Sequence, residues 1–317
     1  LLSFPVLADG SIRYLSVPLG YRLWDKKQTK LEIAAGMVRH AMDGIDPDRQ
    51  VFLLCDSWYP KGCVAGLVDE YRNLDIICNA RIDTVMYDLP PEHTGKRGRP
   101  KKYGERLSPG DFELESPKTG DWKAGVRPVL TRLWGDRVVY AIVTLPKSGN
   151  GSRRLFFCTR DPETIILDYS RCGDDTIRGY GEENKHFLPL GCYPLRWNIE
   201  VSYYENKMFW SLGEYRVRSR EGIERLINMG CIAYSSMTLL PYSDEFFSRY
   251  QSASAQETRS GIGQQIQASI IFGSFVESLE TVKKAQPFIK IIEGYVLSGF
   301  KKIQKLYIKL QYKAKNS

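Results

Sequence analysis

Val51-Phe-Leu-Leu-Cys55 is an unbroken apolar run that stops at Asp56. A short, wholly apolar run of this kind reads as a strand covered on both faces, the pattern of sheets with helices packed above and below. The flanking segments fit the same scheme. Leu1 to Ala8 and Ile12 to Trp24 are two strand-like stretches, the second broken by Pro18, and the dipeptide Asp9-Gly10 between them predicts a hairpin turn. Thr29 precedes a helical pattern in which Leu31, Ala34, Ala35, Val38 and Met42 recur on one side. A helix from beyond Pro60 and Gly62 to Arg72 and a buried strand from Asp75 to Ala80 follow. The order strand, strand, helix, strand, helix, strand predicts an α/β fold. Ligands of such sheets sit at the carboxyl ends of strands, where Asp56 falls.

From Asp88 to Gly151 the chain turns rich in Pro, Gly and Lys. It carries the basic run Lys96-Arg-Gly-Arg-Pro-Lys-Lys102 and two strand-like pieces, Val126–Trp134 and Arg137–Leu145. Strands are expected again at Arg154–Cys158 and Thr164–Tyr169, then a helix from Tyr193 to Leu212 with Pro194 in its first turn. The pattern beyond Arg220 is helical. The expected division is 1–87, first part of an α/β domain; 88–151, a basic insertion with its own strands; 152–215, the second part of that domain; and 216–317, a helical region.

The predicted helix carries Tyr193, Arg196, Glu200 and Lys207. At 100° per residue these lie within an arc of about 60°, while Trp197, Val201, Met208 and Leu212 gather on another. One carboxylate thus shares a polar stripe with two cations and a phenol. The same stripe also describes a solvated face with an Arg-Glu pair at i, i+4. Asp56 likewise has a plain alternative role, as cap of the following helix.

The order of residue types resembles the Tyr-x2-Arg-x3-Glu-x6-Lys motif around the last acidic residue in a large family of insertion-sequence DDE transposases, complete here as Tyr193, Arg196, Glu200 and Lys207. Leu53-Leu-Cys-Asp-Ser-Trp-Tyr-Pro60 resembles that family's second acidic block, and Asp75 to Arg81 its next strand. The likeness covers roughly residues 1 to 215. It implies an RNase H-like mixed sheet flanked by helices and interrupted by a basic β-rich insertion, with a helical C-terminal region. It further implies metal-dependent cleavage and strand transfer of insertion-sequence DNA. Asp56 and Glu200 would be the catalytic metal ligands for two Mg²⁺ ions, with Mn²⁺ able to substitute. Tyr193, Arg196 and Lys207 would contact DNA. Trp58, beside Asp56, is expected to pack beneath the site. The family's first aspartate would lie on a strand upstream of Leu1, the hairpin from Leu1 to Trp24 supplying strands two and three, so the chain by itself is expected to be inactive.

Lys96, Arg97, Arg99, Lys101 and Lys102 are also DNA-binding candidates. Arg97-Gly-Arg-Pro100 resembles the core of an AT-hook, whose arginines enter a narrow minor groove; a basic loop touching phosphates without reading sequence is the other reading. The insertion tryptophans Trp122 and Trp134 read as packing residues. A net charge of +8 and an isoelectric point near 9.0 lean toward a polyanionic partner. The implied partners are double-stranded DNA, as transposon ends and target, and a second copy of the chain; no apolar run is long enough to span a membrane. Seven cysteines without a Cys-x-x-Cys pair and three scattered histidines argue against a zinc site or a disulfide framework. A cytoplasmic, nucleoid-associated protein is expected. Two other functions stay open: a DNA-binding relic of a transposase, and an RNase H-like metal-dependent nuclease that cuts without joining.

Overall fold

The computed structural model describes residues 1–8, 10–91, 101–167, 169–280 and 290. The chain divides into two compact units, Leu1–Ser236 and Met237–Ser317. The first holds a hairpin of β1 (Leu2–Ala8) and β2 (Ser11–Val17), with Gly10 in the left-handed region at φ +78°. Only glycine takes that conformation without steric cost, which fixes the turn. Pro18 ends β2 as expected.

Helix α1 (Lys30–Met42) begins in a capping box: Thr29 Oγ1 accepts from the Glu32 N–H at 3.1 Å while Glu32 accepts from the Thr29 N–H at 2.7 Å. Next come β3 (Val51–Cys55), α2 (Leu67–Glu70), β4 (Leu74–Ala80) and the short β5 (Met86–Tyr87) and β6 (Arg106–Leu107). Long strands β7 (Trp122–Thr131), β8 (Val138–Pro146) and β9 (Arg154–Cys158) follow. After them the chain is helical: α3 (Asp175–Glu183), α4 (Leu188–Cys192), a 3-10 stretch Tyr193–Trp197, α5 (Asn198–Phe209) and α6 (Arg220–Ser243). Helix α7 (Ala255–Glu280) lies in the second unit, where Ser254 and Glu257 form another capping box.

Seven strands form one sheet in the order β3-β4-β9-β8-β7-β5-β6. Only β3 and β4 run parallel; the other pairs are antiparallel. Alternation along the strands gives the sheet two apolar faces. Leu53, Cys55, Ile76, Cys78 and Phe157 point to one, where Ala65, Val68 and Trp134 join them. Helix α1 packs on that side through Leu31, Ala35, Val38 and Met42, which meet Val51 and Leu53. Phe52, Leu54, Ile77 and Cys158 point to the other face and are covered by Leu188, Cys192, Tyr193 and Leu195. The result is a mixed α/β unit with helices on both sides of the sheet.

Several expectations are corrected. The hairpin makes a two-stranded sheet of its own and is not joined to β3. The strands expected to belong to an insertion, β7 and β8, are central members of the same sheet as β3 and β4, because β9 pairs with β4 on one side and β8 on the other. Residues 60–72 are mostly turns with one four-residue helix; Gly62, at φ +56°, interrupts the expected run. Of the strand expected at Thr164–Tyr169, the described residues form none: Asp161 caps a 3-10 turn through the Glu163 N–H at 3.0 Å and Ile166 is left exposed.

Candidate active site

Asp56 follows β3 directly and is half-buried. Its Oδ1 accepts from the Trp58 N–H at 2.9 Å, the local turn that a short acidic side chain favours. No helix starts there, so the alternative role as a helix cap is not taken up. By strand alternation residue 56 continues the row of Phe52 and Leu54, on the face covered by Tyr193 and Leu195. The sheet therefore turns Asp56 to the side on which the Tyr193 segment packs.

That segment is built differently from one continuous α-helix. Pro194 has no N–H to donate, and the chain tightens into 3-10 geometry from Tyr193 to Trp197 before α5 begins. At three residues per turn Tyr193 and Arg196 eclipse, so both remain on one side. Arg196 then reaches Glu200 at 3.4 Å, a long contact, and Glu200 is half exposed. Lys207 is exposed near the end of α5. Tyr193 meets Phe156 edge to face, with ring centroids 5.1 Å apart, and its burial raises the phenol's pKa while Arg196 opposes the shift.

The face of α5 turned inward is polar. Ser202 and Asn206 are its buried residues; Asn206 Nδ2 donates to the Ser202 carbonyl at 2.7 Å, and Asn198 Nδ2 donates to Ser16 Oγ on β2 at 2.8 Å. Small polar residues that satisfy one another let the helix lie close against its neighbours. Trp197, Val201 and Met208, which gather on another arc of the segment, are exposed.

The remaining candidates divide. Lys96, Arg97 and Arg99 lie outside the described residues. Lys101 is exposed, and Lys102 pairs with Asp136 at 2.6 Å. Trp58 is exposed, contrary to a packing role beneath the site, and carries Lys61 over its ring at 5.0 Å. Trp134 is buried against Phe157 as expected of a packing residue.

Magnesium prefers oxygen donors. Asp56 and Glu200 are carboxylates that spend little on protein partners, one on a single backbone N–H and the other on a 3.4 Å cation contact. Each is the kind of oxygen donor such an ion takes. Among the described residues no group of three or more His, Cys, Asp or Glu side chains stands close enough together to hold a metal.

Sequence reasoning missed a row beside Asp56. In the parallel pair Cys55 is level with Cys78, which sets Asp56 level with Asn79; Asn79 is in turn level with Phe156 on β9. Arg154, two residues before Phe156, holds its guanidinium 5.0 Å from the Trp122 ring centroid. The signal was strand alternation carried one residue past the apolar run, but it needed the pairing of β4 with β9, which is not local in sequence.

No protein-family model matches the chain, and no curated protein matches it.

Proposed function

We propose that this chain is the catalytic part of a DDE transposase with an RNase H-like sheet, acting on double-stranded insertion-sequence DNA. The observation that carries the reading is the packing of Tyr193 and Leu195 over the sheet face to which Asp56 belongs, which draws two separate sequence matches to one side of one sheet. Asp56 and Glu200 would hold Mg²⁺, which supplies activation of the attacking oxygen and stabilisation of the leaving one in phosphodiester chemistry. Arg196 would hold a phosphate near Glu200 in a forked contact, and Lys207 would neutralise another as a point charge. Tyr193, packed on Phe156, would set the position of the backbone rather than move a proton. The same reading calls for a third carboxylate, which the described residues do not place beside these two. Assembly as a dimer on paired ends and association with the nucleoid belong to the same reading. No helix among the described residues is long and apolar enough to cross a membrane.

Metal binding tests this without catalysis. Mn²⁺ titrated into the protein and followed by electron paramagnetic resonance should bind, with Asp56→Asn and Glu200→Gln each weakening it about tenfold. Equal binding in all three proteins removes the carboxylates from the site and favours the DNA-binding relic.

A further inference from the structure

Helix α5 reverses the usual amphipathic order: its buried residues are the polar Ser202 and Asn206, and its outer side is apolar. Trp197, at its N-cap, and Val201, Tyr204 and Met208 are 60%, 42%, 58% and 56% exposed. Their spacing of four, three and four residues is that of the seam between two paired helices. At 100° per residue they fall within an arc of about 60°, opposite Ser202 and Asn206. A continuous apolar stripe of this kind on a surface marks a place where something docks. The two edges of the stripe differ in charge. On one edge Glu205 is engaged by the Tyr234 hydroxyl. On the other, Glu200 and Lys207 are exposed, Glu200 held by a long 3.4 Å contact with Arg196.

We propose that α5 pairs with α5 of a second copy of this chain, antiparallel, across a two-fold axis. Centred between Val201 and Tyr204, the pairing layers Trp197 on the second copy's Met208 and Val201 on its Tyr204. In an antiparallel pair each edge meets the same edge of the other helix. Glu200 then faces the second copy's Lys207, and Lys207 its Glu200, offset by about 3 Å along the axis at a rise of about 1.5 Å per residue. A parallel pair would instead set Glu200 against the second copy's Glu205, a like-charge contact that selects the antiparallel arrangement. Buried aromatic side chains account for about 150–250 Å² each, so the exposed three-fifths of Trp197 and Tyr204 in two copies supply about 350–600 Å². With Val201 and Met208 added, the seam still lies below the about 1,200–2,000 Å² of a standard interface, which makes the pair weak and reversible. The pairing occupies Glu200 and Lys207, so it is a state distinct from the DNA-bound dimer read above, and it does not rest on that reading.

The test is sedimentation equilibrium of the whole chain at low ionic strength, without DNA or metal. The wild type should show a reversible monomer–dimer equilibrium that weakens as salt is added, because the edge pairs are screened. Tyr204→Glu should weaken the dimer about a hundredfold or more, since the two-fold counts each lost apolar contact twice. Glu200→Lys and Lys207→Glu should each weaken it about tenfold by placing like charges across the seam, and the double reversal should return it to within about threefold of wild type. Rescue by the double reversal is the outcome that a change in folding alone does not produce. Should Tyr204→Glu fold poorly, the charge reversals, at exposed side chains, still decide. A chain that stays monomeric at every concentration overturns the proposal, as does a dimer indifferent to Tyr204→Glu or a double reversal no better than the single ones. A monomeric chain whose binding to duplex DNA is weakened by Tyr204→Glu would give this face to DNA and overturn the pairing while leaving the DNA-directed reading in place.

Discussion

Leu188→Ala probes the contact that places the motif segment on the sheet. Leu188 is fully buried and packs with Ile77 and Cys158, and with the partly buried Phe52, Leu54, Tyr193 and Leu195. Truncating such a leucine costs about 2–5 kcal/mol, from lost transfer energy and the cavity left behind. A mid-range cost of about 3 kcal/mol lowers the melting temperature of a unit this size by about 6–12 °C. The assay is thermal unfolding followed by circular dichroism, with a urea titration to confirm an unchanged slope. Ile166→Ala is the control: it is 84% exposed on a neighbouring loop, so its effect should stay within about 0.5 kcal/mol. A loss below about 1 kcal/mol for Leu188→Ala would refute the reasoning, because a site free of core packing behaves that way.

Two further outcomes follow from buried polar groups. Asp75 is buried and bonded to Arg160 at 2.6 Å and to Thr159 Oγ1 at 2.9 Å; Arg160→Ala strands that carboxylate and should cost about 3–5 kcal/mol in a urea titration, whereas a cost under about 1 kcal/mol would mean that solvent reaches Asp75. Burial pushes the Cys192 thiol from its ordinary 9.0 up to about 12, and Cys158 rises for the same reason. A folded-state pKa above the unfolded one gives stability that is complete below pH 9 and lost as pH climbs toward 12. Unfolding midpoints should therefore fall across that window, and less steeply in Cys192→Ala; in native protein at pH 8 Cys63, which is only partly buried, should alkylate before Cys192.

The local elements were the most legible part of the chain. The capping residues Thr29 and Glu32, the turn at Gly10 and the apolar runs of β3 and β4 each declare themselves within a few residues. Sheet membership did not: β7 and β8 look like a separate module until β9 is seen to pair with β4, a contact between residues about eighty positions apart. The inner face of α5 is not legible from hydrophobic periodicity, because it is made of Ser202 and Asn206, which satisfy each other. Of the candidate site, the types and spacing of Tyr193, Arg196 and Glu200 were readable, as was the strand-end position of Asp56. The 3-10 tightening around Pro194 and the place of Asn79 beside Asp56 depend on tertiary packing and strand register.

The central claim is that Asp56 and Glu200 serve metal-dependent DNA cleavage and joining. The most direct measurement expresses the whole reading frame that contains this sequence and assays cleavage and strand transfer with Mg²⁺ on DNA carrying the flanking inverted repeats, comparing wild type with Glu200→Gln. The account predicts cleavage and joined product in the wild type and neither in the variant. Equal activity in both proteins, or cleavage by neither, would contradict it.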